Sequence, residues 1–424
     1  MKQWPLLLTL LLGLALPLAG WADDDASQSV DDLFGGGGGY IHPYVTIAEL
    51  YDDNVYRTPS DKISDRATIY SPGILLAVPG TREKRQFLNT STLTPGGLGI
   101  VEDRGEEFQR FQGYLHYRAA LARYAEEDDN DTDDQRLDGL LQFNLKSGLT
   151  FEVLNFYLDG HDERGEGAFG NLDTYKSNLA GGRVTYDLGA RFRVRGEYGH
   201  FTVNYDADDN RYLDRVDDKY SAYLFYKLSG KSTLFTEYDL VDISYDQDAV
   251  LDSSEQTVWG GLRWRLSGKS IGEVKAGYLN KDNQLAGVED KGDLVVKGWL
   301  DYELTGKSRF RLTGSRLVEE PDAYSQESST VDMGRLAFIH KTTPKVNTTL
   351  EGGYGHASYE GEYSYQGETG TREDDIYTGR VLVDYQIQDW LGAKASYLYL
   401  DRESSFSNLS YTDNRVLLSL TLSL

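Results

Sequence analysis

The 424-residue chain contains no cysteine, which excludes disulfides, cysteine-ligated metal sites and lipidation at a cleavage-site cysteine. Methionine is nearly absent, at 2 residues, and hydrophobic residues make up only 39%. Beyond the opening segment no apolar run reaches the ~20 residues that a membrane-spanning helix needs, so a helical membrane protein is excluded. Positive charge is in deficit: 43 Lys and Arg face 68 Asp and Glu, for a formal net charge of −25. A chain this acidic is a poor partner for nucleic acid.

What is present begins with Met1-Lys2, an apolar run from Trp4 to Leu18 and the small-residue junction Gly20-Trp21-Ala22 before Asp23. This is the layout of a secretory signal peptide, expected to cover residues 1–22 with cleavage after Ala22. Residues 23–40 form an acidic lead ending in Gly35 to Gly39, a tether without side chains to pack, expected in the periplasm.

Residues 41–424 carry the main signal. The chain holds 31 Tyr, 6 Trp and 45 Gly, and from Tyr40 onward it alternates apolar and polar residues over segments of roughly ten, the period of a transmembrane β-strand with one face in lipid. In the last segment Val416, Leu418, Leu420, Leu422 and Leu424 fall on one face, with Arg415, Ser419, Thr421 and Ser423 on the other. The turn Ser229-Gly230-Lys231-Ser232 recurs as Ser267-Gly268-Lys269-Ser270 and Thr305-Gly306-Lys307-Ser308, the glycines each 38 residues apart. A repeating hairpin explains it, with glycine supplying the positive φ of a tight turn. The reading is all-β: one antiparallel transmembrane barrel of eighteen strands in the outer membrane, with short periplasmic turns and long acidic extracellular loops. An even count returns the C-terminus to the periplasmic side. The segment from Thr81 to Glu107 is left over. It is read as an insertion at the periplasmic mouth, and would raise the count to twenty if Phe87 to Leu93 paired into the wall.

Several constellations were weighed for chemistry. The run Glu126-Glu127-Asp128-Asp129-Asn130-Asp131-Thr132-Asp133-Asp134 is acidic enough for calcium, but lacks the glycine and terminal glutamate of an EF-hand loop. A solvated rim sharing divalent cations with lipopolysaccharide is the simpler reading, so no metal site and no cofactor is expected. Arg118, Arg183, Arg193, Arg195, Arg263, Arg265, Arg311, Arg380 and Arg415 lie opposite the apolar faces and should point into the lumen. There they either form a self-neutralised network with Asp187, Glu197, Asp301, Glu303 and Asp384 or set a field favouring anionic solutes. His161, His200, His340 and His356 have no partners at catalytic or metal-binding spacing, and no nucleophile signature occurs, so no enzyme and no catalytic residue is expected. Tyr44, Tyr70, Tyr157, Tyr205, Tyr245, Trp299, Tyr354 and Tyr397 read as interfacial girdle residues.

Pro43-Tyr44-Val45-Thr46, Tyr51-Asp52-Asp53-Asn54-Val55-Tyr56, Ser71-Pro72-Gly73-Ile74, Ala122-Arg123-Tyr124, Gly160-His161-Asp162-Glu163-Arg164-Gly165 and Tyr226 to Thr233 together resemble the outer-membrane β-barrel porin family associated with exopolysaccharide export clusters. The resemblance runs over most of the mature chain. It implies eighteen strands and, for some members, passage of capsular or other extracellular polysaccharide beside a periplasmic polysaccharide-export protein. The longer Thr81 to Glu107 segment and the final Leu424, where barrels usually end in an aromatic residue, depart from it.

Three functions follow. The leading expectation is a conduit for extracellular or capsular polysaccharide. The alternatives are a general or solute-specific diffusion porin and a structural or adhesive barrel. The expected partners are outer-membrane lipid and lipopolysaccharide, a periplasmic polysaccharide-export protein, and polysaccharide or small solutes, with no nucleic acid.

Overall fold

The computed structural model describes residues 40–78, 86–103, 110–162, 164, 172–247, 251–266, 268–284, 290–321, 328–365 and 367–423. The expected signal peptide and all of the 23–40 lead but Tyr40 lie outside them.

Twenty-two strands follow in order: β1 (Ile41–Asp52), β2 (Asp65–Val78), β3 (Gln86–Thr90), β4 (Leu98–Asp103), β5 (Phe111–Tyr124), β6 (Thr132–Asn144), β7 (Leu149–Asp162), β8 (Asp173–Leu188), β9 (Phe192–Tyr205), β10 (Arg215–Ser229) and β11 (Ser232–Tyr245). The second half adds β12 (Ser253–Leu266), β13 (Ser270–Asn283), β14 (Lys291–Thr305), β15 (Ser308–Glu319), β16 (Ser329–Thr343), β17 (Val346–Tyr359), β18 (Tyr363–Tyr365), β19 (Glu368–Gly370), β20 (Glu373–Gln388), β21 (Leu391–Ser404) and β22 (Tyr411–Ser423). Eighteen of them form one antiparallel sheet, and β1 pairs with β22 from Tyr44↔Ser423 to Asp52↔Arg415, so the sheet closes. At that seam the hydroxyls of Thr46 and Thr421 meet at 2.8 Å. β18–β19 and β3–β4 are separate two-stranded hairpins outside the wall, which excludes the twenty-strand count.

Alternation sorts the two faces. On β22, Leu418 and Leu420 are 56% and 51% exposed, while Ser419, Thr421 and Ser423, which alternate with the leucines, are buried. An apolar outer face is stable only against lipid, and a closed ladder gives each strand a hydrogen-bonding partner on both sides.

The repeated short turns differ from expectation in one respect. Of the three glycines only Gly268 has a positive φ, of 68°. In the other two turns the first hydroxyl holds the bend: Ser229 Oγ accepts from the Lys231 amide at 3.1 Å and Thr305 Oγ1 from the Lys307 amide at 3.2 Å. A register shift precedes each of these turns.

The outer face carries a repeated anchor. Tyr198-Gly199-His200 on β9 and Tyr354-Gly355-His356 on β17 are each paired with an Asp-Asp-x-Tyr stretch on the next wall strand. Both the Tyr198 hydroxyl and His200 Nδ1 bond Asp218, at 2.6 and 2.9 Å. Tyr354 and His356 bond Asp375 in the same way, at 2.6 and 3.0 Å. Each tyrosine also packs on its neighbour across the ladder, Tyr198 on Tyr220 and Tyr354 on Tyr377, with ring centroids 5.2 Å apart. Rings with one apolar and one wet end suit the membrane interface. Tyr70 and Tyr397 also face outward, as expected of a girdle, but Tyr44, Tyr205 and Tyr245 are buried inside the barrel and Trp299 borders an internal cavity.

A charge placed mid-wall on the lipid face should be costly and one near the rim cheap. Leu418→Arg is expected to destabilise the barrel by about 2–4 kcal/mol and Leu422→Arg by about 0–1 kcal/mol. Urea unfolding in lipid vesicles measures both.

Candidate functional site

The inner wall is the candidate site. On the wall from β7 to β14 its charges form a cross-strand ladder. Arg183 Nε donates to Glu197 at 2.7 Å and its NH1 lies 3.5 Å from Glu152. Arg195 reaches Glu197 at 3.5 Å and donates to Thr185. Lys219 faces Asp239 at 3.6 Å, and Lys275 holds Glu237 at 2.7 Å. Arg263 holds Glu273 at 2.5 Å. Lys297 makes no ion pair among the described residues. All of these groups but Glu152, Thr185 and Asp239 border a cavity of about 490 Å³.

At the outer end the network becomes fully buried. Arg215 donates to Asp217 on its own strand at 3.1 Å. Lys281 bonds Glu320 and faces Glu255 at 3.5 Å, and the Tyr245 hydroxyl donates to Glu320 at 2.7 Å. Burial alone would raise the Glu320 carboxyl, but the Lys281 ammonium and the Arg215 guanidinium hold it below the usual carboxylate range. Across the lumen Asp374 receives both Arg372, at 2.9 Å, and Arg402, at 2.6 Å, with the Tyr359 ring stacked 4.0 Å from the Arg372 guanidinium. Asp52 and Asp413 share Arg415, at 3.1 and 2.7 Å.

The insertion between β2 and β5 enters this space, and this corrects the expectation that it sits at the periplasmic mouth. The bend of the β3–β4 hairpin contacts the outer part of the wall: the Gly96 amide donates to Asp217 at 2.8 Å, and Leu93 O accepts the Glu320 amide at 2.8 Å. Ser91 and Thr92 are buried.

Residues 106–424 match the family described as "Putative beta-barrel porin 2". The chain belongs to that family. It is therefore an outer-membrane β-barrel of porin type, a class of pores rather than enzymes. In structure it is similar to Pseudomonas aeruginosa OpdK with vanillate, at 10% identity and a TM-score of 0.46 over 91% of this chain and 99% of that one. A BenF-like porin from Pseudomonas fluorescens Pf-5 gives 12%, 0.46, 91% and 100%. Pseudomonas aeruginosa OccK3 (OpdO) gives 11%, 0.44, 94% and 99%. No curated protein matches the sequence.

In this porin Arg183, Arg195, Arg263, Arg311 and Arg415 all meet carboxylates, Arg311 being bidentate to Asp301 at 2.8 Å on both arms. Arg193 pairs with Asp187 at 2.7 Å. Arg118 and Arg380 are buried, whereas Arg265 is exposed near the periplasmic end of β12. The histidines are not partnerless as their spacing suggested. His161 bonds Asp134 at 2.9 Å and His340 bonds Ser308 at 2.9 Å, each across a strand pair that linear spacing does not show. The acidic run is likewise engaged: Asp131 and Asp133 meet Arg123, and Glu127 accepts the Tyr56 hydroxyl. One trio, Asp52, Asp53 and Asp413, has oxygens within 4.8 Å of one another. Arg415 already bonds one oxygen each of Asp52 and Asp413, and Asn414 bonds Asp53.

Removing a shared carboxylate from a buried pair strands its cations. Asp374→Asn, which leaves Arg372 and Arg402 facing each other, is expected to destabilise the barrel by about 3–5 kcal/mol. Thermal unfolding of the purified barrel in detergent checks this.

Proposed function

We propose that this barrel is a diffusion porin that passes small hydrophilic solutes with weak charge preference. The inner wall is the observation that supports this best. It is polar and charged, yet most of its cations are matched by carboxylates at 2.5–3.6 Å. A matched wall keeps water in the lumen without a net field that would select one ion sign. Of the nine arginines named from the sequence, Arg183, Arg193, Arg195, Arg263, Arg311 and Arg415 then act chiefly as wall braces. Passage of extracellular polysaccharide, the leading expectation from the family resemblance, has less support, because the hairpin bend occupies lumen space that a polymer would need.

Reconstituted in planar bilayers, the protein should conduct, and liposomes carrying it should swell in small sugars. Absence of both would sink the porin reading. Loss of surface polysaccharide on gene deletion, with small-solute uptake unchanged, would favour export instead. The matched wall makes a further prediction. Arg263→Ala, which leaves Glu273 without its cation, should shift permeability toward cations by about two-fold or more, and adding Glu273→Ala should bring it back. Reversal potentials in a salt gradient read both, and an unaltered ratio in the single variant would remove that pair from the conducting path.

A further inference from the structure

We infer that residues 86–103 are a built-in plug that runs the length of the lumen, seated on an apolar track in the wall and latched at its tip, so that solutes pass along the charged wall opposite. This rests on the porin reading above.

The path is fixed by its two ends. β2 and β5, which flank the hairpin in the chain, pair from Val78↔Gly113 upward, at the rim of the short turns. The bend instead contacts the first residues of β10 and the residue following β15, at the rim of the long loops. There Asp217 accepts the Gly96 amide at 2.8 Å, Thr94 O lies 3.5 Å from the Arg215 guanidinium, and Leu93 O accepts the Glu320 amide at 2.8 Å. β10 and β15 are not neighbours in the sheet, so the bend ties two separate parts of the wall together.

The wall carries a matching track. Inward apolar side chains climb diagonally from Leu75 near the periplasmic end of β2, through Leu140 and Phe156, to Leu179, Phe201 and Val203 near the outer ends of β8 and β9, and they form one cluster. Phe201 and Val203 are 0% exposed. An aqueous lumen would not be lined by such residues uncovered.

The tip is shaped for this seat. Gly96 and Gly97 have φ of 73° and 66°, which glycine adopts without strain. A Cβ at Gly97 would fall inside the Phe201 ring, and one at Gly96 would lie 3.1 Å from Lys219 Cβ. The hairpin also divides the remaining space: Gly96 borders the cavity of about 490 Å³, whereas Thr90, Ser91 and Thr92 border a separate one of about 170 Å³.

Replacing residues 86–103 by a short glycine-serine link should raise single-channel conductance at least about two-fold, since an eighteen-stranded wall without a plug leaves an open channel. It should also admit larger sugars in liposome swelling. If the wild type conducts and the deletion conducts equally, the plug is overturned and the porin stands. If neither conducts, the porin reading falls and the plug with it. Should the deletion not assemble, Gly97→Leu, which drives the tip off Phe201, carries the same readout. Placement is tested separately in the otherwise cysteine-free chain: Gly96→Cys with Lys219→Cys should form a disulfide in the assembled barrel, as their Cβ separation is close to the range a disulfide spans. Failure of that pair to cross-link overturns the placement.

Discussion

Everything in this protein follows from the need to satisfy backbone hydrogen bonds where no water is available. A strand in lipid must have a partner on each side, so the sheet has to close, and it closes where β1 meets β22. That seam is reinforced on its inner face by the Thr46–Thr421 hydroxyl contact and, at the outer rim, by Arg415 bridging Asp52 and Asp413. Closure in turn divides every strand into a lipid face and an inner face. All further specialisation is a choice of what the inner face carries.

The inner face makes two different choices. From β9 to β15 it carries cations and carboxylates whose pairs mostly join different strands, so the charges that hydrate the lumen also brace the wall. Such pairs are worth little where water reaches them freely, and the exposed members add little stability. Their larger effect is local neutrality. From β2 to β9 the inner face carries a diagonal of apolar side chains that no water-filled pore would tolerate, and that diagonal marks the path of the β3–β4 hairpin. The two choices are complementary, since a hairpin seated on the apolar side leaves the polar side as the wettable surface.

How much of this was legible in the sequence depends on whether the signal was local. The strand count was, because alternation and the 38-residue turn repeat are properties of consecutive residues, and the wall has the eighteen strands they imply. The hidden parts concern partners across strands. Phe87 to Leu93 has the β-forming residues of a further strand, and nothing local says that its strand pairs only with β4. Tyr44, Tyr205 and Tyr245 have girdle composition but the inward phase, and phase is set by the register of the whole strand. His161 meets Asp134 and His340 meets Ser308 only because the ladder brings them opposite. One signal was local and still passed unnoticed: Tyr-Gly-His occurs twice, each copy matched by Asp-Asp-x-Tyr on the adjoining wall strand.

The plug and the matched wall also bear on each other energetically. If the charges along β9 to β15 carried a large net field, a mobile ion would be held by the wall and transit would slow, because conduction requires binding weak enough to release. With cations and carboxylates paired, the wall cannot do the selecting, and discrimination has to come from the width of the path. Width in an eighteen-stranded barrel is excessive unless something fills it. A hairpin that enters from the periplasmic rim and is tied at the outer rim to Asp217 and Glu320 fills it along its length, without taking residues from the extracellular loops. Those loops are thereby free to carry the acidic surface, and the separation of charge between rim, wall and plug becomes a consequence of one geometric fact, that the filler comes from the other side.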